Sequence, residues 1–252
     1  MTTTERELIV DDVNGVRVLS LNRPHRLNAF TAQGYFALAQ AMNDAAADSS
    51  VQVVLLKGEG RAYCAGVDLF ALGEATGDEF SQGIKAAVLA LATFPKPIVA
   101  AVHGAIVGFG ATMLLHVDVV LTAEDARWRF PFTELGTGPE AGSSFMLPKI
   151  VGERRATELL MTSRWVSGQE AAELGLATDA VPSDQVHRMG QLVAEKLTTL
   201  KGPALVETKA LMRRGWAEEI AQAVDRETAV AGEITRKLGG SGFAWEASKG
   251  SV

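Results

Sequence analysis

A single cysteine, Cys64, stands among 252 residues. No intrachain disulfide can form, and a reducing compartment is the natural home of such a chain. Positive charge is also scarce: 24 Lys and Arg face 30 Asp and Glu, giving a net charge of −6 and a pI near 5.3. That balance excludes general attraction to nucleic-acid phosphates and leaves room only for a local basic pocket. Long apolar runs are missing as well. The longest, residues 97–115, is broken by Gly104, Gly108, Gly110 and His103, so it reads as a strand, a turn and a buried helix and not as a membrane span. Residues 1–7 lack the apolar core of a secretory signal, and Lys249-Gly250-Ser251-Val252 is not a peroxisomal address. The expectation is a cytoplasmic protein with neither a membrane nor a nucleic acid as partner.

What is present is ordinary globular material, 47% hydrophobic and 21% charged, in a chain long enough to bury a substantial core. Alternation over 8–10 and 16–21 predicts a hairpin across 12–15. Thr31 is placed to cap a helix reaching about 47, with Phe36, Leu38 and Met42 on its apolar side. A buried strand follows at 51–56, ended by Gly58-Glu59-Gly60. Residues 70–83 are mixed and glycine-containing, hold no sustained period and read as a mobile loop over a site. The pattern then predicts a helix over 84–94 stopped by Pro95 and Pro97, a strand over 98–102, a turn at 108–110, a buried helix over 111–115, and strands over 117–122 and 127–130. This is a repeated strand–strand–helix order with little sequence similarity between repeats. From Ser143 the pattern is helical: 143–150, 153–161, 168–174, 183–200, 203–216 and 218–238. The last two helices follow a core already built, and such a pair often packs on another subunit, so a homo-oligomer is expected.

Three stretches carry chemistry: Cys64-Ala65-Gly66-Val67-Asp68, Gly104-Ala105-Ile106-Val107-Gly108-Phe109-Gly110, and Leu135-Gly136-Thr137-Gly138-Pro139-Glu140. Taken alone, either glycine turn is ordinary chain punctuation, and Glu140 is a carboxylate at a helix start. Taken together, backbone N–H groups brought to one point with a single carboxylate facing it suit a reaction that passes through an enolate. Apolar neighbours such as Phe132, Phe145 or Met146 would raise the pKa of Glu140, whereas a helix starting near Ala141 would lower it, so the sign is open at this stage. Glu134, the competing acid, reads as solvated or salt-bridged. Cys64 lacks a partnered histidine and reads as a small packing residue, and His103 and His116 read as structural hydrogen-bonding histidines.

In order and spacing, several segments resemble the crotonase superfamily, the enoyl-CoA hydratase and isomerase family. They are Asn22-Arg23-Pro24-His25-Arg26-Leu27-Asn28-Ala29-Phe30, Tyr63-Cys64-Ala65-Gly66-Val67-Asp68-Leu69, Lys96-Pro97-Ile98-Val99-Ala100-Ala101-Val102-His103-Gly104, Asp118-Val119-Val120-Leu121-Thr122-Ala123, the 165–172 stretch, and Glu173-Leu174-Gly175-Leu176-Ala177 followed by Val181. The resemblance implies an α/β fold, a spiral of ββα turns over residues 1–195 that binds acyl-CoA, with a helical C-terminal region, 196–252, that builds a homotrimer or a dimer of trimers. It implies an oxyanion hole made by the N–H groups of Val67 and Phe109. It also implies coenzyme A contacts from Arg26, Leu27, Ala65, Gly66, Asp68, Leu69, Gly108 and Lys209, with Asp68 fixing the oxyanion turn. For Arg26 and Lys209 plain surface charge is the competing reading.

Hydratases of the family use two glutamates, and their positions match Thr112 and Phe132 here; dienoyl-CoA isomerases carry an acid where Phe132 stands. The stretch from Phe130 to Ile150 is similar instead to peroxisomal-type Δ3,Δ2-enoyl-CoA isomerases, in which the glutamate matching Glu140 is the sole base. That resemblance implies an enoyl-CoA isomerase of fatty acid degradation that needs no metal, nicotinamide or flavin, coenzyme A being part of its substrate. The alternatives are a hydratase or another acyl-CoA-processing activity, and a non-catalytic acyl-CoA-binding module.

Overall fold

The computed structural model describes residues 6–75 and 78–238. Strands β1 (Leu8–Val13) and β2 (Val16–Leu21) pair antiparallel through Asn14 and Gly15, both at positive φ, the backbone that a two-residue hairpin turn requires. The Thr31 hydroxyl accepts from the Gly34 N–H and starts α1 (Ala32–Ala47). This helix buries Tyr35, Leu38 and Met42, while Phe36 is exposed. Its apolar face is thus turned by about one residue from the one expected. Strand β3 (Val53–Gly58) lies parallel to β2.

Residues 70–83 are not a bare loop, as the missing period had suggested. They hold α2 (Leu69–Glu74) and the start of α3 (Glu79–Ala92), with 76 and 77 outside the described residues. The chain continues through β4 (Ile98–Val102), β5 (Ala105–Val107), α4 (Phe109–Thr112) running into a 3-10 turn (Met113–His116), β6 (Val119–Ala123) and β7 (Arg127–Arg129). Then come α5 (Ser143–Val151), α6 (Glu153–Thr162), β8 (Val166–Ser167), α7 (Gly168–Glu173), β9 (Asp179–Val181), α8 (Val186–Thr198), α9 (Gly202–Met212) and α10 (Trp216–Lys237). No described helix is long and apolar enough to cross a membrane.

The larger sheet has the order β1-β2-β3-β4-β6-β9 and is parallel after its first pair. A smaller sheet, β5-β7-β8, is extended by single bridges between Cys64 and Ile106 and between Phe30 and Val67. Each turn of the chain therefore gives one strand to the larger sheet, one extended segment to the smaller, and then helix. This is the expected spiral of ββα turns, and the second segments of successive turns stack where the site forms.

Both faces of the larger sheet are covered, which explains why its strands read as continuous apolar runs. Val54, Leu56, Ile98 and Ala100 face the main core with Tyr35, Leu91, Trp128 and Phe130; Val53, Leu55, Val99 and Ala101 face α8 through Val186 and Ala194. The C-terminal helix α10 lies on its own chain, against α3 and α5, and buries Ile220, Ala223 and Val224 there. On α9, Leu211 and Met212 are exposed.

One buried side chain ties the first turn of the spiral to the second. Asn28, at φ +57, donates to the carbonyls of Glu59 (2.9 Å) and Ala62 (2.8 Å) and accepts from the Arg23 N–H (2.8 Å). Asn28→Ala would leave those groups short of partners in a site closed to water, at a cost of about 2–4 kcal/mol. Denaturant unfolding of the two proteins side by side measures this; a midpoint unchanged from wild type would contradict the assignment.

Candidate active site

The segment 22–30 holds the first glycine turn from behind. Ala65 N–H donates to Leu27 O (2.9 Å), Phe30 N–H to Gly66 O (2.8 Å), and Asp68 N–H to Phe30 O (2.8 Å). Parallel pairing of this kind uses the carbonyl before Val67 and the amide after it, so the Val67 N–H is left pointing the other way. Asp68 fixes the turn's far end: its carboxylate takes the Arg23 guanidinium (2.9 Å) and the amides of Phe70 (3.1 Å) and Ala71 (3.3 Å), capping α2. Burial works to raise the Asp68 pKa, but Arg23 and the two amides outweigh it and hold the carboxyl below its ordinary value. Asp68 is therefore a structural anion. Leu69 opens α2, half-buried beside it.

The second turn brings its own free donor. Gly108 N–H pairs with Arg129 O (3.0 Å), and Gly108 O accepts from Ala111 and Thr112 (both 2.9 Å). Phe109 is the first residue of α4, where an amide has no carbonyl four residues back to bond. Among the described residues neither the Val67 nor the Phe109 N–H donates a hydrogen bond. The two turns touch: a methyl group built on Gly66 would stand 2.8 Å from Val107 O and 3.5 Å from Phe109 N, and one on Gly110 would stand 2.4 Å from Cys64 O. No residue with a Cβ could stand at either position without moving the backbone.

Glu140 completes the group. A methyl group on Gly108 would lie 3.8 Å from Gly66 Cα and 4.0 Å from Glu140 Oε1, so the carboxylate faces the junction of the two turns. The residue is half-buried; its backbone carbonyl accepts from the Ser143 N–H (3.0 Å), and its carboxylate makes no hydrogen bond to the described residues. Its pKa is raised to about 8, first by burial and then by the charge of Glu227. The sign that the sequence leaves open is therefore upward. The helix expected to lower it has no free amide for Glu140: α5 begins at Ser143, and the amides at its start are already taken. Glu227, from α10, accepts from Gly142 N–H (2.7 Å) and Ser144 N–H (2.8 Å).

The Glu140 turn is held from its other side by His116, whose Nε2 lies 2.8 Å from Ala141 O. Since a carbonyl can only accept, Nε2 carries the proton. Burial brings the His116 pKa down to about 4, the Ala141 carbonyl opposing this and Arg213 adding to it, so the imidazole is neutral. Cys64 is buried, and its thiol is pushed up to about 12 by burial, against the Gly66 N–H and with the charge of Glu140. It packs and does not react. Thr112 and Phe132 are buried beside the site and cannot exchange protons at neutral pH. Glu134 is exposed and paired with Arg129.

Other residues from the sequence lie farther out. Arg26 is exposed, with its guanidinium 5.3 Å from the Phe70 ring centre at the mouth of the first turn. Lys209 is not brought to this group. It is buried, donating to Asp118 (2.7 Å) and Lys96 O (2.8 Å), and burial lowers its pKa to about 8 against the pull of Asp118. Two of its three donors tie α9 to the segments that lead into β4 and β6, so it is a structural cation within this chain. Among the described residues no group of three or more His, Cys, Asp or Glu side chains is placed to hold a metal ion.

Residues 11–241 match the family model for enoyl-CoA hydratase/isomerase. The chain belongs to that family. It is 34% identical over 201 residues to 1,2-epoxyphenylacetyl-CoA isomerase of Escherichia coli, covering 77% of each chain. Against enoyl-CoA delta isomerase 2 of Rattus norvegicus it is 30% identical over 226 residues, 87% of this chain and 57% of the rat protein. A crystal structure of an enoyl-CoA hydratase/isomerase from Pseudoalteromonas atlantica superposes with a TM-score of 0.86 at 33% identity, covering 91% of this chain and 92% of that one. Isomerases and hydratases both stand among the relatives, so membership of the family leaves the particular reaction open.

Within this enoyl-CoA hydratase/isomerase frame, the structure places the Gly66–Val67 turn, the Gly108–Phe109 turn and the Glu140 carboxylate side by side. Glu227 is the functional neighbour that the sequence reading missed. Its only sequence signal is a charged residue in register with Ile220, Ala223 and Val224 on the face that α10 buries.

Proposed function

We propose that the protein is an enoyl-CoA isomerase that converts a 3-enoyl-CoA to the trans-2-enoyl-CoA. The observation that carries this reading is a lone carboxylate, unbonded and raised to about 8, facing two unpaired backbone N–H groups. The thioester oxygen would accept from the amides of Val67 and Phe109, which acidifies C2. Glu140 then takes a proton from C2, the charge moves to the thioester oxygen, and the protonated Glu140 returns the proton to C4 of the planar dienolate. The double bond moves from C3–C4 to C2–C3 with no atom gained or lost. One base suffices because C2 and C4 lie on one side of that plane. A carboxyl near 8 suits the work: it is basic enough to remove a carbon-bound proton and acidic enough to give it back. The resemblance matches the two hydratase glutamates to Thr112 and Phe132, neither of which can serve as an acid or a base, and this favours isomerisation over two-carboxylate hydration.

The pH dependence tests this. Since Glu140 must start as the carboxylate, kcat/KM for 3-enoyl-CoA should rise about tenfold per pH unit below about 8 and level off above it. A profile flat from pH 5 to pH 9 would contradict Glu140 as the base.

A further inference from the structure

Helix α10 lies along the loop that carries Glu140. Methyl groups built on Gly138 would stand 3.7 Å from both Val230 Cγ1 and Ile234 Cδ1, and one on Gly142 would stand 3.2 Å from Ile220 Cγ2. On the same face, Glu227 enters at 6% exposure and grips the amides of Gly142 and Ser144 from both carboxylate oxygens. The backbone between Glu140 and this grip needs holding: Ala141 is at φ +61 and Gly142 at φ +73, and an alanine in the left-handed region is strained. A carboxylate that bonds two amides across such a turn can keep it there. It also fills the positive end of α5, the nearest place where Glu140 could have found a counter-charge.

We propose that Glu227 is the positioning residue for Glu140: it fixes the turn that presents the base and denies that base the α5 amides, so that Glu140 meets the substrate without a bonded partner. This rests on the isomerase reading only for the turnover it predicts; the effect on Glu140 itself does not. The other titratable groups around Glu140 hold a constant charge over the working range. Tyr35 on α1 and Cys64 on the first turn are both pushed upward by burial and stay protonated, and His116 stays neutral. Burial raises the Glu227 pKa, while the Ser144 and Gly142 amides and Arg226 oppose the rise. Arg226, its neighbour on α10, is the nearest countering cation. Glu227 is thus the charged neighbour that adds to the effect of burial on the proton affinity of Glu140.

The test uses Glu227→Gln and Glu227→Asp in the full chain, read by kcat/KM against pH and, without turnover, by carbon-13 titration of the Glu140 carboxyl, assigned by its loss in Glu140→Gln. In Glu227→Gln the charge is gone while one amide can still be accepted; the Glu140 midpoint and the acid limb should both fall by about one pH unit or more. In Glu227→Asp the charge stays but one methylene is lost; the limb should stay within a few tenths of wild type while kcat falls about tenfold. A Glu140 midpoint unmoved in Glu227→Gln would overturn the proposal, and so would Glu227→Asp turning over at the wild-type rate, which decides alone if the first variant does not fold. If no 3-enoyl-CoA is isomerised by wild type, the function reading fails, and the carboxyl titration still judges Glu227.

Discussion

Glu140→Ala is expected to lower kcat for 3-enoyl-CoA by on the order of 10³-fold to 10⁴-fold, the range that loss of a positioned general acid and base commands. KM should change little, because in the proposed mechanism the amides of Val67 and Phe109 would hold the thioester and the carboxylate would meet only the reacting carbons. Steady-state kinetics on the two proteins separates these effects. The isosteric Glu140→Gln adds an independent check through stability. In the folded chain the carboxyl titrates near 8, against 4.5 for the free side chain. Between those values the unfolded chain sheds a proton that the folded one keeps, so the wild-type carboxyl weakens the fold progressively as pH rises through that window. Glu140→Gln should therefore be more stable than wild type at pH 8, by roughly 4 kcal/mol, and show no such gain at pH 4. Thermal unfolding at the two pH values measures it.

Gly66→Ala is the second large expectation. At φ +95 an L side chain is strained whatever the space, and the added methyl would lie 2.8 Å from Val107 O. The turn must shift, and the shift would separate the Val67 N–H from the Phe109 N–H, which the proposed mechanism needs aimed together at one oxygen. Loss of one such donor typically costs about 10²-fold to 10³-fold in kcat. The backbone strain adds a stability loss of about 1–3 kcal/mol. Gly152, at φ +79 with nothing within 4 Å of a built methyl, serves as the comparison: Gly152→Ala should lose stability through its backbone alone and keep its kcat. Equal kcat losses in the two variants would contradict a special role for the first turn.

How much of this was legible in the sequence depends on the range of the interactions concerned. The Thr31 cap, the hairpin, the long apolar strands and the two glycine turns were readable, because each is decided by residues within a few positions of one another. Strands β5, β8 and β9 run only two or three residues, too few for alternation to register. The 70–83 stretch reads as a loop for a related reason: α2 is six residues long and a helical period needs more. Tyr35 and Phe36 are adjacent and both aromatic, and only the docking of α1 onto α3 decides which is inside. Lys209 read as surface charge or a coenzyme A contact because its partner, Asp118, lies 91 positions away. The sign of the Glu140 pKa depends first on burial that only the folded chain creates, and then on Glu227, a carboxylate 85 residues beyond Gly142 that nothing local marks.

The central claim is that one carboxylate moves a double bond and adds no water. A 3-enoyl-CoA and the trans-2-enoyl-CoA, given separately to the wild-type protein and to Glu140→Ala with conjugation followed by absorbance and hydration by mass, test it most directly. The account predicts that wild type conjugates the 3-enoyl-CoA, adds no water to the 2-enoyl-CoA, and loses its activity with Glu140. Near-native conjugation by Glu140→Ala, or rapid formation of a 3-hydroxyacyl-CoA by wild type, would contradict it.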